Sequence, residues 1–257
     1  MAETSPMKMK ISQLTSAAST AKGVVNFVLL DISVSRQVDV GSSQADLMLV
    51  LDASGSMFGS INGRVPIDEM LQATHEVIDL LRPHDRLGIV AFDHHAWQVC
   101  PLTSGEFRQS LKDSLSRIKA EGGGGTTMCP ALEMAMHEIH ANARDSRAAR
   151  LVVLTDGCVD DSDRTLNFVK TLERHSIASL GFGQFDFNFM NQVCAPSHGL
   201  CEELGSQTPD RVMEVFRDQL QIAQNTVASN LRLRITPADF TSMQRSYLVH
   251  PNPTFLG

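Results

Sequence analysis

The chain has 257 residues, enough for one domain with a substantial core and small additions, and no need of covalent staples. A net charge of −7 without a basic stripe excludes the usual electrostatics of nucleic-acid binding, and no run approaches the ~18 apolar residues of a membrane span. Hydrophobic residues make up 42% and aromatics only 5%, so the core has to be built from Leu, Val, Ile, Met and Ala.

Residues 1–22 are polar, rich in Ser, Thr and Lys, and are expected to be mobile. Residues 23–44 read as a flanking β-segment and linker. Within them Leu30, Ile32 and Val34 alternate with Asp31, Ser33 and Ser35 before Gly41 breaks the pattern. Leu47–Leu51 is an unbroken apolar run, as in a strand buried on both faces of a parallel sheet. It runs straight into Asp52-Ala-Ser54-Gly-Ser56. Pro66, at a first helical position, opens a helix through Ile67, Met70, Val77 and Ile78 that Pro83 closes. Arg86–Phe92 is the next buried strand, and His94–Leu102 a shorter edge strand with the only tryptophan, Trp97.

Phe107, Leu111, Leu115 and Ile118 predict one further helix. The four glycines that follow, ending in Thr126 and Thr127, cannot be regular structure. Pro130 opens the next helix, and Arg150–Thr155 is a third buried strand, ending in Asp156 and Gly157. A helix over 163–175, a strand over 177–183, a short strand near 200–203 and a long helix from Pro209 complete the pattern.

Strand and helix thus alternate for about 185 residues, which predicts an α/β fold: a three-layer, doubly wound, mostly parallel sheet with flanking β-strands from the terminal segments. The main domain is expected over 45–228. In residues 229–257, Leu231, Leu233 and Ile235 alternate with Arg232 and Arg234, and this segment is expected to pair with 23–44 in a small β-module. In such sheets sites form beyond the carboxyl ends of the strands, where strand order reverses. Asp52, the Thr126 loop and Asp156 are candidates for that edge. A carboxylate and hydroxyls converging on one point suit a hard cation such as magnesium or manganese.

Asp52-Ala-Ser54-Gly-Ser56 resembles the metal-ion-dependent adhesion site of the von Willebrand factor A (vWA) domain. Gly124-Gly125-Thr126 is similar to that family's G-G-T loop, and Leu154-Thr155-Asp156-Gly157 to its third element. The resemblance implies that Ser54, Ser56 and Thr126 coordinate Mg²⁺ directly, with Asp52 and Asp156 bound directly or through water; Mn²⁺ and Ca²⁺ are alternatives. Thr127, Gly125 and Gly157 would support these ligands. The implied function is a scaffold that binds an Asp or Glu of a partner protein, an AAA+ ATPase or another subunit of a multiprotein complex. The flanking strands resemble those of bacterial multidomain vWA proteins. No catalysis is expected, because no additional base or second metal accompanies the site. A surface adhesin and a metal-dependent hydrolase are the rival readings.

The remaining motifs are weaker. The five cysteines form no C-x-x-C pair and the N-terminus lacks the apolar centre of a signal peptide, so a reducing, cytoplasmic setting is expected. His137 and His140 are three residues apart, not the four of a zinc-protease helix. His94 and His95 read as an exposed turn.

Overall fold

A computed structural model describes residues 7–20, 23–34, 44–60, 63–143, 147–156, 158–172, 176–182, 185–197, 199–205, 209–225, 236, 247–248 and 254–255. The chain divides into two units, residues 1–227 and 228–257. In the second, β9 (Tyr247–Leu248) and β10 (Thr254–Phe255) pair antiparallel.

The first unit begins with a hairpin of β1 (Met7–Thr20) and β2 (Gly23–Val34). Residues 7–20 of the segment expected to be mobile are thus strand, and residues 1–6 and 21–22 lie outside the described residues. Met7, Met9 and Ile11 alternate with lysines and serine, and they register against Val34, Ile32 and Leu30, while Lys10 faces Asp31. β2 thus pairs with β1, and residues 231–235, expected to pair with 23–44, lie outside the described residues.

The α/β region carries β3 (Gln44–Asp52), α1 (Pro66–Leu80), β4 (Arg86–Phe92), β5 (Ala96–Ser104), α2 (Arg108–Ser114), α3 (Ser116–Glu121), α4 (Cys129–Ala141), β6 (Arg147–Thr155), α5 (Ser162–Val169), β7 (Ser176–Phe182), α6 (Phe187–Cys194), β8 (Cys201–Gly205) and α7 (Pro209–Asn225). Its six strands lie in the order β5-β4-β3-β6-β7-β8, all parallel except the edge strand β5. The single helix expected over 107–118 is two. Ser114 donates to the carbonyl of Leu111 and Ser116 to that of Asp113, and such back-bonding competes with the helical ladder where α2 gives way to α3.

The unbroken apolar run of β3 serves two cores. Leu47, Leu49 and Leu51 pack with α1, α2, α3 and α7, whereas Met48 and Val50 pack with α4 and α6. Helices therefore cover both faces of the sheet, as the apolar run requires. No described helix is long and apolar enough to cross a membrane.

The amino-terminal edge of the sheet is closed by paired charge. Asp46 accepts two bonds from Arg86, at 2.8 and 2.6 Å, and one from Arg147 at 2.6 Å. Asp85, wholly buried, accepts from the backbone of Ala45 and Arg82 and from the side chain of Gln224 at 2.7 Å, so one carboxylate joins β3, the α1–β4 turn and α7. Asp85→Ala is expected to cost about 2–4 kcal/mol, because three buried donors lose their acceptor together. Urea unfolding measures this; a loss below about 0.5 kcal/mol would mean that water takes over the role.

Candidate metal centre

From β3 the chain moves outward through β4 to β5, and on its return β6 lies on the other side of β3. Strand order reverses between β3 and β6, so their carboxyl ends flank an open crevice. Asp52 ends β3, and Thr155 and Asp156 end β6.

Asp52 is fully buried. Its Oδ1 accepts from the Ser54 amide at 2.8 Å, which folds the loop back on the strand, and its Oδ2 accepts from the Thr155 hydroxyl at 2.6 Å. The bend that follows brings the Ser54 and Ser56 hydroxyl oxygens to 3.1 Å from each other, Ser54 buried and Ser56 exposed. Asp156 is half-buried, close enough for its charge to act on Asp52.

The glycine loop is stitched to this bend by backbone. Gly55 N donates to Gly124 O at 2.9 Å and Gly123 N to Ala53 O at 2.8 Å. Gly123 does so with φ of +125°, a conformation that favours glycine. The same loop is fixed from its other side by three aspartates that sequence reasoning missed. Asp93, at the end of β4, accepts from Gly124 N, and its carbonyl accepts from Thr127 N. Asp160 accepts from Thr126 N at 3.0 Å and donates its own amide to Thr126 O. Asp161 accepts from the amides of Met128 and Cys129, both at 2.9 Å, and so caps α4 from another part of the chain. Thr127 makes no cap to that helix.

The structure therefore brings the Asp52–Ser56 bend, the Thr126 loop and the Thr155–Asp156 strand end to one edge. Gly125 lies beside the Asp160 carboxylate, and Gly157 is outside the described residues. Thr155 was quoted in the sequence only as part of a motif, yet it is the side chain that holds Asp52. The missed aspartates follow strand ends or cluster at 160–161, a hint that they serve the edge, but nothing in the sequence pairs them with a loop over 30 residues away.

Burial pushes the Asp52 carboxyl up from 3.8 to about 6; the bonds from Thr155 and Ser54 oppose this and the nearby Asp156 charge adds to it. Among the described residues no Lys or Arg forms a salt bridge with Asp52, Asp156 or Asp160, in contrast to Asp46 at the opposite edge. The donor set is thus oxygen only, with buried negative charge behind it, and it fits a hard divalent cation. Burial and the charge of Glu133 push the Cys129 thiol up to about 11.

The raised carboxyl gives a stability prediction for the metal-free protein. The folded chain holds the Asp52 proton more tightly than the unfolded chain. Its contribution is full below pH about 4 and is lost as pH rises through about 6. In EDTA, Asp52→Asn is expected to exceed the parent by about 2–3 kcal/mol at pH 7.5, with the difference vanishing near pH 4. Urea unfolding at the two pH values checks this, and a variant less stable than the parent at pH 7.5 would contradict it.

Residues 47–159 match the family profile of the von Willebrand factor type A domain. Protein sll0103 of Synechocystis is 30% identical over 193 residues, 73% of this chain and 44% of its own length. An inter-alpha-trypsin inhibitor heavy chain of Bos taurus is 28% identical over 175 residues, 62% of this chain and 18% of its own. The chain thus spans less than half the length of these relatives. Among solved structures, a von Willebrand factor type A protein from Catenulispora acidiphila superposes with a TM-score of 0.64 at 18% identity, covering 85% of this chain and 50% of that one. The vWF domain of the type V pili tip protein Mfa5 from Porphyromonas gingivalis gives 0.55 at 11% identity, over 76% and 98%. The profile match and the shared six-stranded fold together support placing this α/β region in the von Willebrand factor A family.

Proposed function

We propose that this domain binds a partner protein through a divalent cation, Mg²⁺ by preference, held at the edge where β3 and β6 end. vWA domains commonly mediate protein–protein interaction, and the Mg²⁺ dependence is the step added here. The observation that carries it is the 3.1 Å spacing of the Ser54 and Ser56 hydroxyl oxygens. Oxygens at ~2.0–2.1 Å from Mg²⁺ and adjacent in an octahedron lie about 3 Å apart, so the two hydroxyls already have the spacing of neighbouring ligands.

Ser54, Ser56 and Thr126 would hold the ion directly, and Asp52 and Asp156 directly or through water. The chain's own part is to fix the donors. Asp52 orients Ser54 through its amide, Thr155 holds Asp52, and Asp160 holds the backbone of Thr126. The ion would supply concentrated positive charge at an edge that is otherwise acidic. Neutral hydroxyl ligands neutralise little of it, so an Asp or Glu on the surface of a partner is the favoured further ligand. The partner is thus defined by an exposed carboxylate, and no turnover of phosphate or peptide substrates with Mg²⁺ or Mn²⁺ is expected.

A Mn²⁺ titration followed by electron paramagnetic resonance tests the centre without knowledge of the partner. One strong site per chain is expected. Ser54→Ala and Thr126→Ala should each weaken it by about tenfold or more, and Thr127→Ala should leave it unchanged. Unaltered Mn²⁺ binding in Ser54→Ala, with the fold intact by circular dichroism, would sink the proposal.

A further inference from the structure

Three consecutive residues in the turn between β4 and β5 converge their donor atoms. The Nδ1 atoms of His94 and His95 lie 3.1 and 2.8 Å from one oxygen, Oδ1 of Asp93. That oxygen also accepts from the His95 amide at 3.0 Å. A carboxylate oxygen has two lone-pair directions, so three donors crowd it, and the crowding is relieved if the imidazole nitrogens present lone pairs to a cation instead. The histidine side chains are 67% and 51% exposed, while Asp93 is buried, so the cluster opens to solvent on one side only.

We propose that Asp93, His94 and His95 form a second metal site, separate from the Ser54–Thr126 centre, for a borderline first-row divalent ion such as Zn²⁺. Two imidazole nitrogens and one carboxylate oxygen suit such ions, whereas the all-oxygen centre suits Mg²⁺. Tetrahedral Zn²⁺ ligands at ~2.0–2.1 Å lie about 3.3 Å from one another, so each nitrogen needs to move from the carboxylate oxygen by only a few tenths of an ångström, and the donor atoms already lie within 4.8 Å of one another. The other carboxylate oxygen, Oδ2, is held by Gly124 N at 3.0 Å, which orients the ligand as outer hydrogen bonds do in metal sites. The loop is shaped to the cluster: a Cβ on Gly124 would lie 2.0 Å from His94 Nδ1, so only glycine admits the ring there. The exposed histidines leave the cluster accessible to water or to a side chain from another protein.

Gly124 also ties the two centres together. Its amide serves Asp93 and its carbonyl accepts from Gly55 in the Ser54–Ser56 bend. The site itself does not depend on the Mg²⁺ reading, because it shares no ligand with that centre.

The chain contains its own reporter. Trp97 is its only tryptophan, and its ring lies 5.0 Å from that of His95. Zn²⁺ is titrated into the full chain in excess Mg²⁺, with Trp97 fluorescence as readout and a chromophoric chelator in competition to give affinity. One Zn²⁺ is expected to change Trp97 emission, and His94→Ala/His95→Ala should weaken binding by at least about a hundredfold while the exposed positions leave the fold unchanged. Asp52→Ala should retain Zn²⁺ binding. Loss of Zn²⁺ binding in Asp52→Ala would assign the ion to the oxygen centre, and unchanged binding in the double histidine variant would assign it to other histidines; either result overturns the proposal. Failure of the Mn²⁺ experiment alone would leave it standing.

Discussion

Asp52 ends a strand whose neighbours on both sides are apolar, and folding removes its carboxylate from water completely. Burial of an ionised carboxylate is costly unless the charge is paired. Two hydrogen bonds, from Ser54 and Thr155, recover part of that cost, and the proximity of Asp156 adds to it. The carboxyl consequently holds its proton to about pH 6. The result is a core position that is uncomfortable without a counter-charge, placed beside two hydroxyls whose oxygens lie 3.1 Å apart. The two arginines on Asp46 show how the same sheet treats a carboxylate that serves the structure alone.

The contrast between the two edges extends to the loops. At the amino-terminal edge, Asp46 and Asp85 bind side chains and amides from β3, β4, β6 and α7 and so lock strands and helix together. At the carboxyl edge, Asp93, Asp160 and Asp161 bind the backbone of one connection, residues 124–129. The glycines of this segment have high conformational entropy and no side chains to pack, and the first side chain of the connection to enter the core is Met128. Carboxylates accepting from its amides are the means by which its shape is set. The position of the Thr126 hydroxyl therefore depends on acids from two other segments of the chain.

The parallel sheet was legible because its strands are buried on both faces, which forces continuous apolar runs such as Leu47–Leu51 and Leu87–Phe92. The helices on either side were legible from their spacing and their prolines. The hairpin partner of β2 was not. Residues 7–20 are polar overall, and only the alternation from Met7 to Ile11, which composition hides, foretells a strand. At the candidate site, side chains that would touch a cation fall in short local motifs and can be quoted from the sequence. Those that hold the motifs in place act across 30 to 100 residues, as Thr155 does on Asp52 and Asp93 on Gly124. Such bonds are written in no local pattern; they exist only once the strand order places one loop against another.

That division bears on how the edge could change state. Gly124 carries hydrogen bonds through the two peptide units on either side of its Cα, its amide donating to Asp93 and its carbonyl accepting from Gly55. A displacement of Asp93 in the β4–β5 turn is thereby transmitted to the bend of Ser54 and Ser56 without passing through any side chain of the glycine loop. The two bonds sit on adjacent planar peptide units joined at the Gly124 Cα, so the coupling passes through the φ and ψ of that glycine. Events at His94 and His95 and events at the Ser54–Ser56 bend thus meet at one residue, Gly124. By linkage, whatever binding free energy is coupled through Gly124 acts equally in both directions.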